Sequence, residues 1–120
     1  MAYMLLILEE RDDRRKRGLE QGRVVYDRML RFAGDLTARG VLKGADALKT
    51  DTEATRVAVR GGKHMTLDGP FAESKEMVGG YFLLDCRTKE EAVAIARDCP
   101  AAEWATVEVR EIGTCYDGAE

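Results

Sequence analysis

The densest group of side chains that could do chemistry lies between Asp68 and Glu76, where the sequence reads DGPFAESKE. Asp68 is suited to act as a base or as a carboxylate that orients a ligand, and Glu73 supplies a second carboxylate. Lys75 adds a cation for an anionic group. Binding residues concentrate on loops held by a rigid scaffold, so we expect a small-molecule site beside this loop.

The same loop also has a structural interpretation, and the residues alone leave both open. Asp68 would then cap the turn by accepting hydrogen bonds from backbone N–H groups. Phe71 would fill the core, while Glu73 and Lys75 would belong to a solvated charged surface. Substitution separates the two interpretations, because Asp68→Asn keeps an acceptor oxygen but removes the charge.

Two further residues complete the candidate ligand-binding set. His64 is the single histidine of the chain. It can serve as a general base only beside a pocket and an orienting partner, and an exposed strand histidine is the alternative. Tyr81 opens the apolar segment that follows the loop. No residue is assigned a catalytic role.

Motifs for cofactors and metals are missing from the sequence. It contains no phosphate-binding loop, dinucleotide glycine fingerprint, HExxH or nucleophile elbow, and the pairs Gly61-Gly62 and Gly79-Gly80 lack the phosphate-loop spacing. Cys86, Cys99 and Cys115 show no paired spacing, so neither a disulfide framework nor a zinc site is expected. Cys86 lies in an apolar run and is expected to act as a small core residue. We expect no metal and no cofactor.

Composition narrows the class of partner. With 45% hydrophobic and 34% charged residues the chain has the balance of a globular domain. Its 19 basic and 22 acidic residues leave a net charge of −3, which gives no attraction to nucleic acid or to an anionic membrane. The basic stretch Arg11 to Arg17 could hold an anionic ligand or a nucleic-acid phosphate, but it contains Asp12 and Asp13 and no aromatic residue, so a solvated loop is expected there.

The longest apolar run, Met1 to Leu8, is too short for a membrane helix, which needs about 18 residues. It also lacks the flanking features of a signal peptide. A cytoplasmic protein without membrane contact is therefore expected.

Hydrophobic periodicity predicts six strands and two helices. Strands that are apolar on both faces are central in a sheet, and the segments at 3–8 and 81–86 have this character. A helix is indicated where apolar residues recur at three and four, as they do at Val25, Met29, Phe32 and Leu36. A capping box at Thr88 to Glu91 begins a second helix, which Pro100 ends. The predicted elements are strands at 3–8, 41–48, 55–60, 63–68, 81–86 and 104–112, and helices at 19–39 and 88–99.

The Gly61-Gly62 pair can adopt the positive φ angles of a two-residue hairpin turn, which joins the strands at 55–60 and 63–68. One face of this hairpin is expected to carry the apolar side chains of Val57, Val59, Met65 and Leu67.

The order β-α-β-β-β-α-β predicts a ferredoxin-like α+β sandwich, with a mostly antiparallel sheet and two helices on one face. Residues 1–112 would form the domain and residues 113–120 a loose tail. The other face of the sheet is expected to be bare yet apolar around Tyr3 and Tyr81. Soluble monomers rarely expose such a patch, so we expect a homodimer that packs sheet against sheet.

These motifs resemble those of a known family. DGPFAESKE, followed by GGYFLLD at 79–85, is similar to the signature of the DGPF branch of the YCII-related domain family. The segments MAYMLLI, RGVL, EEAV and CPAA also resemble it, so the likeness covers residues 1 to 112. It implies a dimeric ferredoxin-like fold, with Gly69, Pro70, Phe71, Gly79 and Gly80 as the structural motif.

The resemblance implies less about activity. The wider family is credited with an active site built on a histidine in the first helix and an aspartate just before the proline of the second-helix bend. Those positions fall here near Arg28 or Met29 and near Cys99, so a His–Asp mechanism does not carry over. One relative is a dehydrochlorinase, which leaves enzymatic activity open. The DGPF branch is associated with genes for extracytoplasmic-function sigma factors, so the alternative is a regulatory or interaction module.

Overall fold

The computed structural model describes residues 2–116. It contains six strands and two helices, joined by turns that include short 3-10 segments at Asp51–Glu53 and Pro100–Glu103. In chain order the elements are β1 Ala2–Glu10, α1 Asp13–Ala38, β2 Leu42–Ala47, β3 Thr55–Arg60, β4 Lys63–Asp68, β5 Glu76–Asp85, α2 Lys89–Asp98 and β6 Thr106–Glu111.

The main sheet has four strands in the order β2-β5-β1-β6, and all neighbouring strands are antiparallel. Strands β3 and β4 form a separate two-stranded sheet, which lies in the chain between β2 and β5. The observed order is β-α-β-β-β-β-α-β, which contains all six predicted strands and so has one strand more than the order β-α-β-β-β-α-β. The two helices and the antiparallel main sheet confirm the predicted α+β class and are consistent with a ferredoxin-like fold.

Both helices cover one face of the sheet. Leu5 and Leu84 are fully buried there, and Leu36 of α1 and Ile95 of α2 belong to the same core cluster. Phe32 packs edge to face on Phe82, with ring centroids 5.3 Å apart. Alternation along the strands therefore determines which side chains reach the helices.

Neither α1 nor α2 covers the opposite face of the sheet, but the side chains on that face differ from the prediction. Tyr3 is only 3% exposed and belongs to the core, because it is in register with Leu84 on the helix side. Tyr81 is in register with Leu6 and so lies on the other face. We call this side the open face and define it by the half-buried side chains Met4, Leu6, Leu8, Tyr81 and Leu83.

Helix α1 has two segments. Gly18 has a φ of 83° and breaks the helix, so the long segment begins at Leu19, as predicted. Of its predicted stripe, Phe32 and Leu36 are buried, whereas Val25 and Met29 are half-buried.

The predicted capping box at the start of α2 is present in modified form. Thr88 Oγ1 accepts from the backbone N–H of Glu91 at 3.1 Å, as expected. The Glu91 carboxylate accepts from the N–H of Arg87 at 3.3 Å, one residue before the cap.

The hairpin forms at the predicted residues, but the predicted grouping of its apolar side chains was wrong. Val59 is opposite His64 and Val57 is opposite Thr66, whereas Met65 and Leu67 lie on the other face. Because the turn at Gly61-Gly62 has two residues, each odd-numbered residue of β3 is opposite an even-numbered residue of β4. Opposed residues share a face, so odd-numbered residues of the two strands lie on opposite faces. Both faces of the hairpin are therefore partly apolar and exposed.

None of the helices described for residues 2–116 has the length and apolar character needed to cross a bilayer. Residues 113–116 are exposed and follow the last strand. The rest of the predicted tail, 117–120, lies outside the described residues.

Candidate functional site

A cavity of about 980 Å³ lies between the first half of α1 and the sheet. Its helix side includes a stripe with helical spacing, and its sheet side includes several small residues. Trp104 and Ala101 also line it. The stripe is Leu19, Arg23, Tyr26 and Leu30, and the sheet side includes Ala45, Ala47 and Gly80.

The cavity exists because α1 packs closely on the sheet only in its second half, where Phe32 and Leu36 are buried. Leu19, Tyr26 and Leu30 are 73%, 52% and 52% exposed although they face the lining. Small side chains on β2 and β5 do not fill the gap. An apolar space of this size is typical of a ligand pocket.

A buried ion pair stands at the end of β1. Glu9 is the one charged residue that is buried among residues 2–116, with 5% exposure, and its carboxylate pairs with the Arg14 guanidinium. Arg14 also donates to the carbonyl of Leu48 at 2.7 Å and to that of Gly79 at 3.3 Å. A buried charge requires such compensation. Glu9 and Arg14 both line the cavity.

Gly79 makes room for this ion pair. It lies at an irregularity in the pairing of β1 with β5, where Ile7 is opposite Gly80 and Leu8 is opposite Val78. A Cβ atom at position 79 would lie 2.6 Å from Glu9 Oε2. A side chain there would therefore displace the carboxylate.

The DGPF loop packs against the turn at 51–53. Asp51 pairs with Arg11 and accepts from the backbone N–H of Phe71 at 3.3 Å. A Cβ atom at Gly69 would lie only 1.9 Å from the carbonyl oxygen of Asp51. Phe71 is 5% exposed, and the guanidinium carbon of Arg56 lies 3.8 Å from its ring centroid.

The turn that holds this loop is part of the cavity wall. Thr50 and Thr52 line the cavity, while Asp51 between them carries the loop. The loop thus lies outside the cavity and contacts the turn that forms part of its wall.

Of the five predicted ligand-binding residues, Tyr81 is among the lining residues, although its side chain lies on the open face. Asp68, Glu73, Lys75 and His64 do not line the cavity. The last four are exposed. Their role in ligand binding stays a prediction.

The predicted residues have the following partners. Asp68 Oδ1 accepts from the hydroxyl of Thr55 at 2.9 Å, and this partner is a side chain rather than a turn N–H. Glu73 makes an exposed 3.4 Å ion pair with Arg56. The Tyr81 hydroxyl donates to Asp46 Oδ2 at 2.8 Å, and this hydrogen bond raises the pKa of Tyr81.

Glu9 and Arg14 were not among the predicted site residues. The prediction of a solvated loop at Arg11 to Arg17 was wrong for Arg11 and Arg14, because both are partly buried in ion pairs. A usable sign was present in the alternation of β1. Glu9 continues the buried series of Tyr3, Leu5 and Ile7, and an acid at a buried position needs a cation nearby.

Trp104 is flanked by two guanidinium groups. The guanidinium carbons of Arg17 and Arg28 lie 5.7 and 5.5 Å from its ring centroid, within cation–π range. Arg28 also forms a two-pronged ion pair with Glu103 at 3.0 and 2.5 Å. This pairing lowers the pKa of the Glu103 carboxyl and raises the pKa of Arg28.

Comparison with known proteins gives a family and an uncharacterised relative. The sequence profile described as the YCII-related domain matches residues 1–114. An uncharacterised protein of Rhizobium meliloti (strain 1021) is 37% identical over 81 residues, which is 66% of this chain. The match covers 65% of the length of that relative.

Proposed function

Because the chain belongs to the YCII-related domain family, we propose that it binds a small molecule in the cavity between α1 and the sheet. The observation that carries the proposal is the cavity itself, whose volume of about 980 Å³ and mainly apolar wall suit a ligand with few polar groups. The proposal concerns binding and assigns no catalytic residue.

In this proposal the DGPF loop does not touch the ligand but packs behind residues that line the cavity. Gly69 lets the loop approach Asp51, and Phe71 anchors it, so that the wall at Thr50 and Thr52 keeps its position. The sequence-based alternative places the ligand against Asp68, Glu73 and Lys75 instead.

The test uses two glycines of the same helix. Gly22 lines the cavity, whereas Gly34 does not, and a Cβ atom at either position meets no atom within 4 Å. Leucine favours helix more than glycine by roughly 0.8 kcal/mol, so neither Gly22→Leu nor Gly34→Leu should lower the melting temperature.

The probe is the neutral apolar dye N-phenyl-1-naphthylamine, titrated by fluorescence. Wild type and Gly34→Leu should bind one dye per chain, and Gly22→Leu should weaken binding at least tenfold. Equal binding by all three proteins would refute the cavity proposal. Binding that survives Gly22→Leu but is lost in Glu73→Gln or Lys75→Met would favour the loop site.

We also propose a homodimer that forms through the open face, in which two copies bury Met4, Leu6, Leu8, Tyr81 and Leu83. This proposal is supported by the apolar centre of a sheet face that neither α1 nor α2 covers. Light scattering should give about twice the 13.3 kDa chain mass, and Leu6→Lys should give the single mass. A wild-type monomer at micromolar concentration would refute it.

The second candidate function is the interaction module, with an extracytoplasmic-function sigma factor as the partner. It is favoured by the hairpin, where Val57, Val59, Met65 and Leu67 are each at least half exposed. A sigma factor from the same genome should co-elute with wild type in gel filtration but not with Val57→Ser/Val59→Ser. Separate elution of the wild type and the sigma factor would contradict this candidate.

A further inference from the structure

The cavity wall carries more positive than negative charge. Neither acidic lining residue offers the cavity an unpaired negative charge, since one carboxylate pairs with an arginine and the other lies on the open face, where it accepts from the Tyr81 hydroxyl. The acidic lining residues are Glu9 and Asp46, and the basic ones are Arg14, Arg15, Arg17 and Arg23.

Two of the four arginines have no carboxylate within ion-pair distance among residues 2–116. Arg14 is committed to Glu9, and Arg15 pairs with Asp12 on the surface. This leaves Arg17 and Arg23. Their charges raise the potential at the cavity, which favours an anionic group there.

Arg17 and Arg23 lie beside the aromatic part of the wall. Arg17 is half-buried over the Trp104 ring, and Arg23 is one helical turn from Tyr26, which also lines the cavity. A guanidinium binds a carboxylate with two parallel hydrogen bonds. Tyr26 and the part of Trp104 that lines the cavity offer aromatic surface on which an aromatic ligand packs.

We infer that the ligand is an aromatic carboxylate, with its ring between α1 and the sheet and its carboxylate at Arg17 and Arg23. The inference rests on the proposed function, because it needs the cavity to be the binding site. It adds the chemical class of the ligand and the two residues that select it.

The experiment compares 4-tert-butylbenzoate with the neutral 4-tert-butylbenzamide by isothermal titration calorimetry. The benzoate should bind at least about tenfold more tightly, as expected for charge-assisted hydrogen bonds. Its affinity should fall with added salt, because the arginines are partly solvated. Emission from Trp104, the single tryptophan, should change on binding and so report the location.

Matched variants assign the selectivity. Arg17→Gln/Arg23→Gln should bring the two affinities within about twofold of each other, while leaving the benzamide affinity unchanged. Arg31→Gln is the control, since Arg31 is exposed on the same helix but does not line the cavity. It should retain the full preference.

The outcomes separate the inference from the proposed function. Equal affinities for the two probes in wild type, or a preference that survives the double substitution, would overturn the ligand class. Dye binding that is sensitive to Gly22→Leu would still stand in that case. Failure of the dye and of both probes would overturn the cavity site and the inference together.

Discussion

Removing Arg14 should destabilise the protein more than removing any exposed arginine, because it leaves Glu9 buried without a counter-charge. Breaking a buried pair from one side costs about 3–5 kcal/mol. The Arg14 side chain is 29% exposed, so water can reach the site and the lower end, about 3 kcal/mol, is expected. The lost hydrogen bonds to Leu48 and Gly79 add little, because one carbonyl is exposed and the other bond is long at 3.3 Å.

The assay is thermal and urea unfolding of Arg14→Met, Glu9→Met/Arg14→Met and Arg15→Met. For a domain of this size, about 3 kcal/mol corresponds to a fall in melting temperature of roughly 10–15 °C. The double variant should be more stable than Arg14→Met by about 2 kcal/mol, since two apolar side chains replace a buried charge. Arg15, which is 78% exposed in its ion pair, should cost less than about 0.5 kcal/mol.

Two results would refute this reasoning. If Arg14→Met costs no more than Arg15→Met, Glu9 does not depend on its partner. If the double variant is less stable than Arg14→Met, the burial of the Glu9 charge is not the source of the loss.

Three further predictions follow from single contacts. Gly69→Ala should lower stability by more than about 2 kcal/mol in urea unfolding, because its Cβ would clash with the Asp51 carbonyl; a neutral effect would contradict the close approach. Thr88→Ala should cost about 0.5–2 kcal/mol through the lost cap on the Glu91 N–H, whereas Thr88→Ser should cost much less. With a thiol reagent at pH 8, exposed Cys115 should react first, because burial raises the pKa of both core thiols and keeps them protonated; three equal rates would contradict this.

The elements of the fold could be predicted because each depends on local patterns. The helix at 19–38 follows from its apolar stripe, the hairpin from Gly61-Gly62, and the start of α2 from Thr88. These patterns act over a few residues, so one chain suffices to detect them. The predictions were wrong where they assigned side chains to faces of a sheet. Alternate residues of a strand point to opposite faces, so an error of one residue moves a side chain such as Tyr3 from one face to the other.

The candidate site was predicted less well, because its parts are far apart in sequence. The DGPF motif drew attention to Asp68 and Lys75, yet the contacts that hold the loop involve Asp51 and Gly69. Gly69 lies against Asp51 and Phe71 is buried, and their assignment as structural residues stays a prediction.

The sequence by itself determined the order of the elements, the open and covered faces of the sheet in outline, and the absence of familiar cofactor motifs. Only the tertiary structure decided that Glu9 and Arg14 pair beneath Gly79 and that α1 stands away from the sheet to leave a cavity. The physical reason is that both features depend on the distance between separate elements. Periodicity specifies which face of a helix or strand is apolar, whereas packing specifies whether two such faces touch or enclose a space.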